Sequence, residues 1–169
     1  MALIKLVILD VDGVMTTGEL PYDPHGQSVK SFFVHDGAAI RLWQRTGGGV
    51  AVISGRHSPA VSRRAEELDI RPVMQGVVDK LAAYESVCRE WAVCDEAVSF
   101  VGDDLPDVAP MRRCAYPIAV ANAAPAVKRA ARYVTHRTGG AGAVCEAVER
   151  LMRHNGAWSS TLNDVLGGA

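Results

Sequence analysis

Asp10 and Asp12, which follow a run of apolar residues, are the clearest candidates for chemistry in this chain. The run Leu6–Leu9 is continuously apolar rather than alternating, which predicts a strand buried on both faces. Asp10 would then lie at the carboxyl end of that strand, where open parallel sheets bind ligands, and Gly13 would permit a tight turn. Two carboxylates at this spacing can divide the work, one attacking a substrate and the other moving protons. An isolated Asp-x-Asp-Gly is, however, more often only a strand end and a turn.

Other polar side chains follow later apolar stretches or begin a helix, and they would meet Asp10 if the strands are parallel neighbours. They are Ser54, Lys80, Asp103 and Asp104. Three or more carboxylates at one sheet edge would repel one another, and a hard divalent cation such as Mg²⁺ would relieve that repulsion. Lys80, Ser54 and backbone amides could then hold the oxygens of a phosphate. These groups together are suited to phosphoryl transfer.

Apolar stretches alternate with amphipathic ones along the chain, which predicts an α/β fold with a doubly wound parallel sheet. Further strands are predicted at residues 50–53, 71–74, 98–101, 116–120 and 133–135. Helices are predicted at residues 36–46, 80–91 and 141–154, and two more are opened by Pro59 and Pro125. Asp36 and Ser58 are predicted to be helix N-caps. Residues 19–22 and 28–34 are predicted to be two short strands of a projecting hairpin.

The composition is that of an ordinary globular protein, with 49% apolar residues, 22% charged residues and a net charge of −1. We expect one domain over residues 1–156 and a mobile tail over residues 157–169. The sequence contains no evident basic face and only 6% aromatic residues, which argues against nucleic-acid binding. Membrane-spanning runs, a signal peptide and Cys-x-x-Cys spacing are also lacking, so we expect a cytoplasmic protein with reduced thiols and no membrane contact.

The chain strongly resembles the haloacid dehalogenase-like phosphatases, because four motifs of that superfamily occur in order. They are Asp10-Val-Asp12-Gly-Val-Met-Thr16, Ser54, Lys80 and Gly102-Asp103-Asp104-x-x-Asp107. The resemblance implies that Asp10 is the nucleophile that forms an aspartyl-phosphate. It implies that Asp12 protonates the leaving alcohol and then activates the hydrolytic water.

The same resemblance implies a Mg²⁺ site and a phosphate site. Asp10, the backbone carbonyl of Asp12 and Asp103 would hold the ion, and Asp104 and Asp107 would orient its surroundings. The phosphate would be bound by Ser54, Gly55 and Lys80.

A narrower resemblance, covering the chain through His154, is to the capless 3-deoxy-D-manno-octulosonate 8-phosphate phosphatases and the related nonulosonate 9-phosphate phosphatases. It rests on segments 30–37, 53–56, 75–80, 102–107 and 139–144, and on motif spacings too short for a cap domain. In that family a neighbouring subunit of a homotetramer closes each site, which implies that the hairpin at residues 19–34 serves oligomerisation. The resemblance also implies substrate contacts by Phe33, Val34, His35, Asp36, Gly37, Arg41, Arg56 and Arg64.

One segment departs from the family pattern, since Phe33 and His35 stand where asparagine and arginine are usual. Phe33 cannot hydrogen-bond a sugar through its side chain, and a histidine, unlike an arginine, is not charged at every physiological pH. We therefore expect the substrate to be a phosphorylated sugar or sugar acid, either 3-deoxy-D-manno-octulosonate 8-phosphate or a related compound. Two alternatives are a receiver-type phospho-aspartate signalling module and a non-catalytic oligomerisation domain. The Asp-x-Asp-Gly spacing argues against the signalling module. The complete set of motifs argues against a non-catalytic domain.

Overall fold

The computed structural model describes residues 2–165 and 167 and contains a six-stranded parallel sheet. The strands are β1 (Leu6–Leu9), β2 (Gly49–Ile53), β3 (Val73–Met74), β4 (Val98–Gly102), β5 (Tyr116–Ala119) and β6 (Tyr133–Val134). Their order across the sheet is β3-β2-β1-β4-β5-β6. The direction of winding therefore reverses between β1 and β4, which is where doubly wound sheets bind their ligands.

Helices connect the strands and cover the sheet. They are α1 (Val34–Arg45), α2 (Pro59–Glu67), α3 (Lys80–Glu90), α4 (Val108–Arg113), α5 (Pro125–Ala130), α6 (Ala143–His154) and α7 (Trp158–Val165). Short 3₁₀ turns at Asp95–Ala97 and Leu105–Asp107 flank β4. Helix α1 packs against α6, while α4 packs against both α3 and α5. The predicted α/β fold with a doubly wound parallel sheet is confirmed.

The three central strands are buried along their whole length, which explains why their sequences show no polar alternation. Large side chains from the neighbouring helices complete the core, among them Trp43 of α1 and Tyr84 of α3. The indole N–H of Trp43 donates to the carbonyl of Gly49 at 2.9 Å, and the Tyr84 hydroxyl donates to Asp95 at 2.9 Å. Both polar groups are therefore paired, and the two bonds link α1 to the start of β2 and α3 to the turn that precedes β4.

The predicted helix cap at Asp36 is wrong. Helix α1 begins at Val34, with Phe33 as its N-cap, so Asp36 lies within the first turn. The Asp36 carboxylate instead accepts a hydrogen bond from the N–H of Cys145, in the first turn of α6, at 2.8 Å. Asp36 therefore caps a helix that is distant in the sequence, which local pattern cannot reveal. Ser58 is the N-cap residue of α2 as predicted, although its hydroxyl makes no capping bond.

The predicted hairpin is reduced to a turn with one antiparallel bridge, between Tyr22 and Ser28. Asp23 holds the turn, because its carboxylate accepts hydrogen bonds from two backbone N–H groups at 2.9 and 2.8 Å. The predicted strands at 19–22 and 28–34 are thus too long, and Val34 already belongs to α1. Among the described residues neither arm pairs with a further strand, so nothing extends the ladder.

Part of the predicted tail is helical. Trp158 begins α7, and the guanidinium of Arg153 lies 5.0 Å from the centre of the Trp158 rings. The mobility expected for residues 157–169 and the domain limits 1–156 stay predictions, and Leu166, Gly168 and Ala169 lie outside the described residues. Within the described part of the chain, no helix has the length and apolar character needed to cross a bilayer.

Candidate active site

Three carboxylates converge at the carboxyl ends of β1 and β4. Asp10 follows β1 directly, and its N–H donates to the carbonyl of Val101 in β4 at 3.1 Å. Asp103 follows β4, and Asp107 ends the adjacent 3₁₀ turn. Carboxylate oxygens of Asp10, Asp103 and Asp107 all lie within 4.8 Å of one another. The predicted meeting of Asp10 and Asp103 at one edge of the sheet is therefore confirmed.

Lys80 joins two of these carboxylates. It is the first residue of α3, and Asp79 caps that helix by accepting hydrogen bonds from two backbone N–H groups at 2.9 and 3.1 Å. The Lys80 side chain is only 8% exposed, and its ammonium donates to Asp10 at 2.7 Å and to Asp107 at 2.6 Å. Since an ammonium carries three donors, these bonds leave one N–H for another acceptor.

Asp107 is fully buried and connects Lys80 to the loop that follows β4. One carboxylate oxygen faces Lys80, and the other accepts hydrogen bonds from the N–H groups of Asp103 at 3.0 Å and Asp104 at 3.1 Å. Gly102 leaves room for this arrangement, because a Cβ there would lie 2.6 Å from the Cβ of Asp107. The exposed Asp104 side chain caps the 3₁₀ turn, accepting the N–H of the next residue at 2.8 Å.

The loop after Asp10 depends on glycine and on contacts from distant loops. Gly13 has φ +89°, as the predicted tight turn requires, and a Cβ there would overlap the carboxylate of Asp103. The side chain of Asn122 donates to the carbonyl of Gly13 at 3.2 Å and accepts from the N–H of Gly139 at 2.8 Å. A Cβ at Gly139 would in turn overlap the carbonyl of Gly13. These close approaches set the shape of the loop that carries Asp12.

Negative charge exceeds positive charge in this cluster. Burial, and then repulsion by Asp107, raise the pKa of Asp10 to about 6, although Lys80 opposes the shift. Burial, together with repulsion by Asp10 and Asp107, raises the pKa of Asp103 to about 8. Burial lowers the pKa of Lys80, but the carboxylates of Asp10 and Asp107 outweigh burial and leave it above its ordinary value. A further cation is needed to keep all of these carboxylates ionised.

The residues present fit a magnesium ion. Carboxylate oxygens are the hard ligands that Mg²⁺ prefers, and the excess negative charge favours a divalent cation. Asp10 and Asp103 are the residues whose carboxylates would hold the ion. Both oxygens of Asp107 are already occupied, by Lys80 and by backbone N–H groups, so Asp107 suits the predicted orienting role.

Comparison with known proteins gives the family. A family model described as haloacid dehalogenase-like hydrolase matches residues 69–148. The 3-deoxy-D-manno-octulosonate 8-phosphate phosphatase KdsC of Haemophilus influenzae is 38% identical over 153 residues, covering 90% of this chain and 85% of the relative. This chain belongs to that phosphatase family.

Solved structures agree with membership of the phosphatase family. A 3-deoxy-D-manno-octulosonate 8-phosphate phosphatase from Moraxella catarrhalis, solved with a magnesium ion, a phosphate ion and a KDO molecule, matches with a TM-score of 0.92. It is 33% identical, and the match covers 96% of this chain and 93% of that one. A probable YrbI family phosphatase from Pseudomonas syringae matches with a TM-score of 0.94 and 38% identity, covering 98% of this chain and 94% of that one. The fold of this phosphatase family thus extends over nearly the whole chain.

Ser54, Gly55 and Arg56 follow β2, the strand next to β1, so they lie at the same edge of the sheet as Asp10. The Ser54 hydroxyl, on a side chain that is buried, accepts the N–H of Arg56 at 3.3 Å. Its own backbone N–H donates to the carbonyl of Met74 in β3 at 2.8 Å. The phosphate-binding roles of Ser54 and Gly55 stay predictions.

The predicted substrate stretch forms the beginning of α1. Val34 and His35 are exposed, and the rings of Phe33 and His35 meet edge to face with centroids 5.0 Å apart. Asp36 and Gly37 are buried, and Asp36 is the cap of α6 described above. Substrate contact by these five residues stays a prediction for this family member, and it suits the exposed side chains best.

The predicted substrate arginines lie on and between α1 and α2. The guanidinium of Arg41 donates to the backbone carbonyl of Glu67, and that of Arg64 pairs with the Glu67 carboxylate at 3.3 Å. Arg64 also lies against α1, since a Cβ at Gly37 would overlap its guanidinium. Arg56 is exposed after β2. Substrate contact by these arginines stays a prediction.

Two residues of the site are assigned no role by the sequence motifs. Asn122 links the loop of Gly13 to that of Gly139, as described above. Lys30 forms an ion pair with Asp12, and its side chain is only 4% exposed. A single asparagine or lysine in a loop is usually solvated. Only the folded chain shows that the Lys30 side chain is buried against Asp12 and that the exposed Asn122 bridges two loops.

Proposed function

We propose that this protein is a Mg²⁺-dependent phosphatase that hydrolyses a phosphorylated sugar acid through an aspartyl-phosphate on Asp10. The substrate class comes from the relatives, which are phosphatases of 3-deoxy-D-manno-octulosonate 8-phosphate. The observation that carries the proposal is the cluster of Asp10, Asp103 and Asp107, whose oxygens lie within 4.8 Å of one another beside Lys80. This arrangement supports the proposal, because it groups a carboxylate that can act as a nucleophile, carboxylates that can hold a cation and an ammonium that can bind phosphate.

In the first step a carboxylate oxygen of Asp10 attacks the phosphorus atom. The bond from phosphorus to the sugar oxygen breaks, its electron pair stays on that oxygen, and the oxygen takes a proton from Asp12. Lys80, Ser54 and the backbone N–H of Gly55 bind the phosphate oxygens. Mg²⁺, which Asp10 and Asp103 would hold, would neutralise part of the negative charge of the phosphate and of these two carboxylates.

In the second step water attacks the phosphorus of the aspartyl-phosphate. Asp12 takes a proton from that water, and the bond between phosphorus and the Asp10 oxygen breaks. Inorganic phosphate leaves, and Asp10 returns to its carboxylate form with the bond's electron pair. Each proton that Asp12 gives in the first step is thus regained in the second.

The test compares phosphate release by the wild type, Asp10→Asn and the control Asp69→Asn, an exposed acid in the loop after α2. With saturating Mg²⁺ we expect Asp10→Asn to retain less than about one thousandth of the wild-type rate, because it lacks the nucleophile. Asp69→Asn should keep wild-type activity, and EDTA should abolish activity in both active proteins. Turnover by Asp10→Asn at a rate close to that of the wild type would refute the proposal.

The identity of the sugar is tested through His35. The exposed His35 stands where the family usually has arginine, whose guanidinium is charged at any physiological pH. We expect His35→Arg to raise kcat/KM for phosphorylated 2-keto sugar acids relative to the phosphates of neutral sugars, because only the former carry a carboxylate in addition to the phosphate. A panel that includes 3-deoxy-D-manno-octulosonate 8-phosphate measures this ratio, and an unchanged ratio would remove His35 from the substrate site.

We also propose that the turn region at residues 19–34 mediates a homotetramer in which a neighbouring subunit closes the site. Leu20, Tyr22, Val29 and Val34 are exposed there by 38%, 59%, 50% and 74%, which is unusual for apolar side chains grouped in one segment. Light scattering should give the mass of four 18.0-kDa chains, and Tyr22→Glu with Val29→Glu should lower it. A wild-type protein with the mass of one chain would contradict this proposal.

A further inference from the structure

Lys30 reaches from the turn region back to the loop of the active site. Its ammonium donates to Oδ1 of Asp12, which lies 18 residues earlier in the chain. The Lys30 side chain is 4% exposed and that of Asp12 is 21% exposed, so the pair lies at the border between the protein interior and the open edge of the sheet. A buried ammonium is costly without a partner, so the pairing with Asp12 is needed to keep Lys30 in this position.

An ammonium has only donor atoms, which restricts what the facing carboxyl oxygen can do. Oδ1 of Asp12 accepts from Lys30, which favours a proton of Asp12 on Oδ2, because the unprotonated oxygen is the better acceptor. We propose that Lys30 is a positioning residue that holds Oδ1 and thereby presents Oδ2 of Asp12 to the reacting groups. The inference rests on the proposed function, in which Asp12 is the acid and base of the reaction.

The role predicts a dependence on the leaving group. When the bond from phosphorus to a sugar oxygen breaks, the electron pair remains on an alkoxide, which needs the proton from Oδ2 of Asp12. When p-nitrophenyl phosphate reacts, the p-nitrophenolate is stable enough to leave without that proton. Loss of a positioning residue for the acid should therefore harm the sugar phosphate far more than the aryl phosphate.

The experiment measures kcat/KM for 3-deoxy-D-manno-octulosonate 8-phosphate and p-nitrophenyl phosphate in Lys30→Met, Lys30→Arg and Asp12→Asn, and in the double variant Lys30→Met/Asp12→Asn. Lys30→Met keeps an unbranched side chain, one atom shorter than that of lysine, and removes the charge. Lys5→Met is the matched control, since the exposed Lys5 precedes β1 at the opposite edge of the sheet. Melting curves of every variant report any general loss of folded structure.

We expect Lys30→Met to lower kcat/KM for the sugar phosphate at least about tenfold more than for the aryl phosphate, within the range typical of acid–base groups. Lys30→Arg should restore most of the loss, and Lys5→Met should match the wild type. In the Asp12→Asn background Lys30→Met should cost less than about threefold further, because a residue that acts through Asp12 has nothing left to position.

Three results would overturn the inference. Equal losses for both substrates in Lys30→Met, or independent losses in the double variant, would show that Lys30 only anchors the turn region. If Asp12→Asn itself fails to discriminate between the substrates, the acid role of Asp12 in the proposed function is wrong, and the inference falls with it. Discrimination by Asp12→Asn but not by Lys30→Met leaves the proposed function standing and refutes the inference alone.

Discussion

Replacing Lys80 by methionine tests whether charge balance holds the site together. The variant leaves Asp10 and Asp107 buried without the ammonium that now lies 2.7 and 2.6 Å from them. Removing one partner of a buried ion pair typically costs about 3–5 kcal/mol, and the methylene groups of Lys80 are largely replaced by those of methionine. We therefore expect the free energy of unfolding in Mg²⁺-free buffer to fall by about 3 kcal/mol.

The pH of the unfolding experiment is set by the pKa of Lys80. The carboxylates of Asp10 and Asp107 raise that pKa above its ordinary value of 10.5. A raised pKa of a cation means that its stabilisation is complete below the unfolded pKa and is lost only as pH rises through the folded one. At pH 7.5 the full contribution of Lys80 is therefore present. Added Mg²⁺ should reduce the difference between wild type and variant, because a divalent cation beside Asp10 and Asp103 supplies part of the missing charge.

Urea denaturation at pH 7.5 measures the loss of stability in Lys80→Met and its reduction by Mg²⁺. The two conditions are EDTA and 10 mM Mg²⁺ at about constant ionic strength, and Lys5→Met is the control. The same variant should lose phosphatase activity by about a hundredfold, the usual effect of removing a charged group that binds the reacting oxygens. A destabilisation below about 1 kcal/mol in EDTA, or one that Mg²⁺ leaves unchanged, would refute the reasoning.

Three further predictions concern the cap of α6, the glycine turn and the ion. Asp36→Ala removes the acceptor for the N–H of Cys145 and should lower the free energy of unfolding by about 1 kcal/mol, whereas Asp36→Asn should recover most of it; equal losses would exclude capping. Gly13→Ala places a Cβ against the Asp103 carboxylate and should weaken Mg²⁺ binding by calorimetry at least about tenfold, with wild-type affinity as the contrary result. Mg²⁺ at one hundred times its dissociation constant should stabilise the wild type by about 2.7 kcal/mol in thermal unfolding, and an Asp103→Asn variant, in which the ion site is damaged, should gain less. Equal gains in the two proteins would place the ion elsewhere.

Much of the fold follows from local patterns in the chain. The continuous apolar runs of β1, β2 and β4 predict buried strands, and the structure places those strands within one residue of the predicted limits. Pro59 and Pro125 open α2 and α5 as expected, because proline suits the first turn of a helix. Local pattern gave wrong predictions at Asp36 and at the arms of the turn region. Asp36 caps the distant helix α6 instead of its own helix, and among the described residues the arms have no further strand with which to pair.

The sequence by itself determined that acids follow two buried strands, Asp10 after β1 and Asp103 after β4, and that the strands belong to a parallel sheet. Only the tertiary structure decided that Lys80 pairs with Asp107 as well as with Asp10, and that Lys30 pairs with Asp12. Lys80 lies 70 residues from Asp10 and 27 from Asp107, and Lys30 lies 18 residues from Asp12. The crossovers of the sheet bring these groups together and largely remove them from water. Opposite charges attract more strongly in that setting, and a buried charge that loses its partner is costly.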